Sequence, residues 1–206
     1  MADRAYLKVF TAVILAFLII ITGCGNGKAK RKPLETINSF ETTASDVSMG
    51  DFDVETNGYV NLEQFKKYGT KGKYSAKATF SVPVDFLTTT QAAKTTSWIS
   101  SMTMSIKTLT PLKVTDWTGY KKFAFDVYVP DQVVPDLFIK IVDASGKEYV
   151  AQRPLKNGRN KVEVLLDEVY TARLDLTNIT SFSIYMDTKG QPKDVILYID
   201  YIRLNP

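Results

Sequence analysis

The fold of this chain is decided by residues 121–129, which read KKFAFDVYV. Phenylalanine or valine occupies every second position from Phe123 to Val129, and Asp126 and Tyr128 lie at positions between them. Successive side chains of a β-strand point to opposite faces, so this alternation predicts a strand with one buried and one exposed face. Aromatic and β-branched residues are also the types that strands favour.

The same alternation, built from the same residue types, recurs along most of the chain. It is found in LFIKIVD (137–143), RNKVEVLLD (159–167), ITSFSIYMD (179–187), VILYIDYIRL (195–204), KYSAKATFSV (73–82) and SWISSMTMSIKT (97–108). Turn-forming residues separate the segments, and a weak helical pattern occurs at residues 166–176. About nine strands without a long helix predict a single all-β sandwich over residues 37–206.

The N-terminal residues carry a different signal. Val9 to Ile21 is a run of 13 residues, apolar except for Thr11, which is too short for a membrane-spanning helix of about 20 residues. It fits the apolar region of a secretory signal peptide, which has about 7–15 residues. The run leads into ITGC (21–24), which contains the single cysteine and resembles a bacterial lipobox.

That resemblance implies a lipoprotein. Residues 1–23 would be a cleaved signal peptide, Cys24 would carry a diacylglyceryl group and an N-acyl chain, and residues 24–36 would be a short tether. The alternative is an ordinary thiol at Cys24. Two or more acyl chains anchor a protein stably to a membrane, so we expect a lipid-anchored protein of the bacterial cell envelope, outside the cytoplasm. Gly25 replaces the acidic residue that often retains lipoproteins at the inner membrane, which favours the outer membrane if the envelope is Gram-negative.

Composition excludes several classes of function. The formal net charge is +4, but a basic cluster in the tether accounts for it, and the predicted sandwich is close to neutral. Nucleic-acid binding needs basic residues spread over a folded face and is therefore not expected. The chain has no histidine and one cysteine, which excludes catalytic triads and zinc sites built on histidine. Oxygen ligands remain, and these suit calcium or magnesium.

Five segments in order resemble galactose-binding-like jelly rolls, a group that includes many carbohydrate-binding modules. The segments are NSFE (38–41), GKYSAK (72–77), TGYKKFAFDVY (118–128), LDLTNI (174–179) and LYIDYIRL (197–204). Domains of the complex I intermediate-associated protein type are similar too. The resemblance implies a jelly-roll β-sandwich that covers nearly all of the chain after the tether.

The resemblance also implies a structural calcium ion, held by the side chains of Glu41 and Asp200 together with loop carbonyls. Asp200 interrupts an apolar strand, where it should share a face with Tyr198 and Ile202. A buried carboxylate is costly without a partner, so a cation is one solution. The alternative is a pairing with lysine, arginine or backbone N–H groups.

Strand alternation suggests one exposed face with the composition of a glycan groove. It would carry Asp126, Tyr128, Lys140, Tyr185 and Asp187. Aromatic rings stack on the C–H faces of sugars, while charged side chains hydrogen-bond to the hydroxyls. The alternative is an ordinary solvated sheet face.

These observations predict a non-catalytic, membrane-anchored binding lipoprotein that engages carbohydrate on the concave face of the sandwich. An envelope structural or assembly protein with a protein partner and no glycan is the alternative. A glycoside-processing enzyme with Asp126 and Asp187 as its acid pair is a minor one.

Overall fold

Eleven antiparallel strands and one short helix make up the part of the chain that the computed structural model describes, which comprises residues 32–41, 54–82, 99–105 and 114–206. The strands are β1 (Glu35–Asn38), β2 (Glu55–Thr56), β3 (Val60–Phe65), β4 (Ser75–Phe80), β5 (Ile99–Ser105), β6 (Lys122–Val129), β7 (Leu137–Asp143), β8 (Glu148–Arg153), β9 (Gly158–Leu165), β10 (Ile179–Asp187) and β11 (Val195–Asn205). The helix α1 (Leu166–Thr171) lies between β9 and β10. The predicted signal peptide and Cys24 lie outside the described residues. Among the described residues, no helix has the length and apolar character needed to cross a bilayer.

The strands form two antiparallel sheets. One sheet has the order β3-β4-β11-β6-β9, with β1 also paired to β11, and the other has the order β2-β5-β10-β7-β8. Strand β11 is the central strand of the six-stranded sheet, because it pairs with β4 and β1 on one side and with β6 on the other. Sequence neighbours such as β6 and β7 belong to different sheets, so the chain crosses repeatedly between the two layers.

The hydrophobic core fills the space between the sheets. Every second residue of β6 from Phe123 onward is buried, as the alternation predicts. The ring of Phe123 lies 4.8 Å from that of Phe182 on the other sheet, and Trp117 is fully buried and stacks on Phe123 at 5.1 Å. The predicted all-β sandwich is confirmed.

The described strands outnumber the nine expected, because β1 and β2 are short and lack an apolar pattern. The weak helical pattern at residues 166–176 corresponds to α1, a helix of six residues. Of its residues, Leu166 and Val169 face the core.

A bulge in β11 changes which side chains share a face. The register with β6 shifts between Asp200 and Arg203, and Tyr201 has a φ of 51°. A bulge inserts one extra residue and reverses the alternation beyond it. Ile202 is consequently fully buried in the core, and Arg203 takes its place on the outer face of the sheet, where it binds Asp126. The expectation that Ile202 shares the face of Asp200 is wrong for this reason.

Candidate functional site

The five residues predicted to form one binding face lie on two opposite faces of the sandwich. Asp126 and Tyr128 are on β6 and point outward from the six-stranded sheet, whereas Lys140, Tyr185 and Asp187 are on β7 and β10 and point outward from the five-stranded sheet. The core lies between the two groups. The prediction of a single shared face is wrong, because alternation separates inward from outward residues but does not say which sheet a strand joins.

The outer surface of the five-stranded sheet, here called the five-stranded face, contains a shallow pocket of about 270 Å³. It is lined by Ser101, Thr103, Lys140, Glu148, Val150, Ser183 and Tyr185. Four adjacent strands contribute these residues, and Tyr185 lies directly opposite Ser101 in the register of β10 and β5. The sheet therefore fixes the spacing of the side chains across the face.

Tyr185 provides the aromatic surface of this pocket. Its ring stacks on Phe138, with 5.3 Å between the ring centroids and 15° between the planes. Phe138 lies opposite Tyr185 on β7, so the stack follows from the strand register. Burial raises the pKa of the Tyr185 hydroxyl, and the hydroxyl stays protonated and able to donate at neutral pH.

The rest of the pocket is polar. Lys140 Nζ lies 3.2 Å from Glu148 Oε1, and both side chains are partly exposed. The hydroxyls of Thr103 and Ser183 are 3.3 Å apart. Hydroxyls, a carboxylate and an ammonium group together supply both donors and acceptors beside a flat ring.

Asp187 lies two residues beyond Tyr185 on the same face, but it does not line the pocket. Its Oδ1 accepts a hydrogen bond from the backbone N–H of Lys189 at 2.9 Å, which caps the turn after β10. Asp126 lies on the other sheet. The two carboxylates of a glycosidase flank one bond at about 5–10 Å, and a pair on opposite faces of the core cannot do this, so the acid pair formed by Asp126 and Asp187 is wrong.

The outer surface of the six-stranded sheet, here called the six-stranded face, carries an aromatic cluster. Tyr68 stacks on Tyr128 with 3.8 Å between ring centroids and 8° between planes, and Tyr198 packs against both rings. Tyr68 follows β3 and has a φ of 65°. Sequence analysis missed it because a lone tyrosine in a turn has no periodic pattern.

Glu41 and Asp200 both bind the same loop, at residues 70–74. Glu41 Oε1 accepts hydrogen bonds from the backbone N–H groups of Lys73 and Tyr74 at 2.9 and 2.7 Å. Asp200 Oδ2 accepts hydrogen bonds from the backbone N–H groups of Thr70 and Lys71, and from the Thr70 hydroxyl. Pairing with backbone N–H groups is one of the alternatives to calcium that the sequence suggested for Asp200.

The second oxygen of the Asp200 carboxylate, Oδ1, is relevant to the predicted calcium site. Asp200 is 1% exposed, and its Oδ1 has no hydrogen-bond partner among the described residues. Burial raises the pKa of Asp200, against hydrogen bonds that lower it. A buried carboxylate oxygen without a donor fits one position of a calcium site, but calcium takes 6–8 oxygens. Within the described ranges, no group of three or more acidic, histidine or cysteine side chains is placed to hold a metal, so calcium stays a prediction.

Comparison with known proteins shows the fold. No family model matches the sequence, and no curated protein matches it. A family 11 carbohydrate-binding module from Clostridium thermocellum, solved in complex with a β-1,3-1,4-mixed-linked tetrasaccharide, is similar in structure with a TM-score of 0.55 and 14% identity, over 84% of this chain and 95% of the module. An agarase structure is similar with a TM-score of 0.56 and 13% identity, over 84% of this chain but only 24% of the agarase. The chain is a jelly-roll β-sandwich of the kind that carbohydrate-binding modules adopt.

Proposed function

We propose that this protein is a non-catalytic carbohydrate-binding protein whose glycan lies across the five-stranded face. The observation that carries the proposal is the pocket around Tyr185, which combines a held aromatic ring with hydroxyl, ammonium and carboxylate groups on adjacent strands. The residues concerned are Tyr185 and Lys140, predicted from the sequence, together with Glu148, Ser101, Thr103 and Ser183.

The chemistry of a neutral sugar fits this arrangement. A pyranose ring has an apolar C–H face and a rim of hydroxyls, so a flat ring on one side and mixed donors and acceptors on the other complement it. Phe138 holds the Tyr185 ring, which lowers the conformational entropy lost when a sugar stacks on it. The open, shallow shape also leaves room for a chain of sugars to extend along the sheet.

Three further observations support binding without catalysis. One structural neighbour, which this chain matches over 95% of the neighbour's length, is a carbohydrate-binding module in complex with a tetrasaccharide. The agarase similarity covers only about a quarter of that enzyme, at 24%. The pair of carboxylates considered for hydrolysis lies on opposite faces of the core.

We further propose that the sandwich is held at a membrane by lipid on Cys24. The support is the apolar run before ITGC in the sequence, together with the short distance in sequence from Cys24 to β1 at Glu35. A lipid-anchored sandwich would hold a glycan at the surface of a bacterial envelope. The alternative, an envelope assembly protein with a protein partner, uses the same anchor but does not need the pocket.

A polysaccharide panel tests the glycan proposal. We expect the purified protein to bind at least one β-linked glucan, xylan or galactan in affinity electrophoresis, and Tyr185→Ala to weaken that binding about tenfold, since ring stacking contributes about 0.5–1.5 kcal/mol beyond the area that the ring buries and about 1.4 kcal/mol is a factor of ten. Phe138→Ala should weaken it less, because it only loosens Tyr185. Tyr170→Ala removes a tyrosine that is 71% exposed on α1, away from the pocket, and should leave binding unchanged.

Two outcomes would overturn the proposal. One is no binding to any polysaccharide of the panel, which would favour the assembly alternative. The other is an equal affinity of the Tyr185→Ala and Tyr170→Ala variants for the polysaccharide. That result would place the glycan elsewhere on the molecule.

A further inference from the structure

The six-stranded face has a pocket of its own, also of about 270 Å³. Its walls include Tyr68, Thr70, Asp126, Tyr128, Arg159 and Lys161. The pocket lies on the opposite side of the core from the five-stranded face, and none of its lining residues belongs to the site around Tyr185.

Basic side chains outnumber acidic side chains around this pocket. Arg203 binds Asp126 with two hydrogen bonds and so compensates the negative charge on the wall. Lys161 lies 2.6 Å from Glu163, but Lys122 shares the same carboxylate at 2.8 Å. Within the residues described, Arg159 has no acidic partner. The surroundings of the pocket therefore carry a net positive charge, which attracts anions.

The positions of the two basic residues follow from strand pairing. Arg159 lies opposite Tyr128, and Lys161 lies opposite Asp126, in the register of β9 and β6. Both basic side chains are exposed and point outward on the same face as the tyrosine. The guanidinium fork of arginine matches a carboxylate or sulfate through two parallel hydrogen bonds.

The aromatic side of the pocket is fixed in place. Tyr68 has a φ of 65°, a conformation that non-glycine residues rarely adopt. It is held there by stacking on Tyr128 at 3.8 Å and by contacts with Phe65 and Tyr198. An anion alone needs no aromatic wall, whereas a sugar ring uses one.

We propose that this pocket is a second binding site, which takes an acidic saccharide that carries a carboxylate or sulfate group. Arg159 and Lys161 bind the acidic group, and the Tyr68–Tyr128 pair contacts the sugar ring. The site does not depend on the proposed function of the five-stranded face, because the two pockets share no residue.

Calorimetric titration with matched saccharides tests this. The probes are a short oligogalacturonate with its neutral methyl ester, and a sulfated galactan oligosaccharide with its desulfated form. We expect at least one charged probe to bind, its neutral partner to bind at least about tenfold more weakly, and Arg159→Gln to weaken the charged probe by a similar factor, because each change removes a charge-assisted hydrogen bond. Binding should also weaken as salt rises.

Matched variants separate this site from the other. Lys193→Gln removes an exposed positive charge in the turn before β11, outside the pocket, and should leave the affinity unchanged. The titrations are repeated in Tyr185→Ala, which removes the neutral-glycan site of the five-stranded face, and charged and neutral probes are compared in that variant. Tyr128→Leu should weaken binding of the charged probe, because the aromatic ring is lost. If Tyr128→Leu does not fold, the affinity of Arg159→Gln tests the proposal.

Four outcomes with the saccharide probes would overturn the proposal. They are no binding of either charged probe, equal binding of charged and neutral probes, wild-type affinity in Arg159→Gln, and loss of acidic-saccharide binding in Tyr185→Ala. Inorganic sulfate that binds as tightly as the charged saccharides would also overturn it, because the pocket would then be an anion site only.

Discussion

Arg203 binds Asp126 through a two-pronged ion pair on the six-stranded face. Nη1 donates to Oδ2 of Asp126 at 3.1 Å, and Nη2 donates to Oδ1 at 3.2 Å. The side chains are only 7% and 18% exposed. Asp200 lies directly opposite Asp126 in the register of β11 and β6, and the Thr70 hydroxyl lies within hydrogen-bond distance of both carboxylates.

Replacing this arginine should destabilise the fold. Arg203→Met leaves a largely buried carboxylate unpaired, which costs about 3 kcal/mol and lowers the melting temperature by about 10 °C in a domain of this size. Denaturant unfolding measures the free energy. Lys77→Met breaks the ion pair with Glu63, whose side chain is 51% exposed, and should cost less than about 1 kcal/mol. Equal losses in the two variants would contradict the prediction.

Asp143 should make stability depend on acid pH. Hydrogen bonds from the Asp175 backbone N–H, the Ser145 side chain and the backbone N–H groups of Lys147 and Ser145 lower its pKa from 3.8 to about 2. A carboxyl whose pKa is lower in the folded state stabilises that state above its unfolded pKa, and the effect disappears as the pH falls through the folded pKa. Asp143→Asn should therefore melt below the wild type at pH 7, and the gap should close between about pH 4 and pH 2.

The melting curves of the two proteins at several pH values check this. Asp200, whose pKa shifts the other way, is present in both proteins, so its contribution cancels in the difference. A gap that stays constant down to pH 2 would show that the Asp143 charge does not contribute.

Calcium, if it binds at Asp200 and Glu41, should stabilise the protein by mass action. Added calcium should raise the melting temperature, and EDTA should lower it, since a ligand that binds only the folded state stabilises it in proportion to the logarithm of its concentration. Asp200→Asn should abolish the response. Magnesium at the same concentration is the control for ionic strength. A melting temperature that EDTA does not change in wild-type protein would rule out the site.

If Cys24 carries lipid, the protein should be found in the membrane fraction. Wild-type protein should partition into the membrane fraction and incorporate labelled palmitate, whereas Cys24→Ser should do neither, because the acyl chains supply the membrane affinity. Mass spectrometry of the mature N-terminus checks the modification directly. A serine variant that is cleaved and retained like the wild type would contradict lipidation.

Much of the fold was predictable, because the alternation of apolar and polar residues along a strand reflects which side chains are buried. Phe123 to Val129 and Phe182 to Met186 are buried at the positions that the period of two requires. The short strands β1 and β2 were not predictable, since four and two residues carry too little pattern.

The candidate site was less predictable, for three physical reasons. Lys140 and Asp126 look alike in sequence, as polar residues within apolar strands, and only sheet order separates them. The bulge near Tyr201 reverses the alternation and brings Arg203 to Asp126, and nothing in the local pattern marks it. Tyr68 reaches Tyr128 from a turn, across 60 positions of sequence, which a local pattern cannot show.

The place of β11 at the centre of the six-stranded sheet has a consequence for folding during synthesis. Until residues 195–205 leave the ribosome, β1, β4 and β6 have no partner at that position and remain exposed edges, which are prone to aggregation. The sandwich can therefore close only late, after almost all of the described chain has been made.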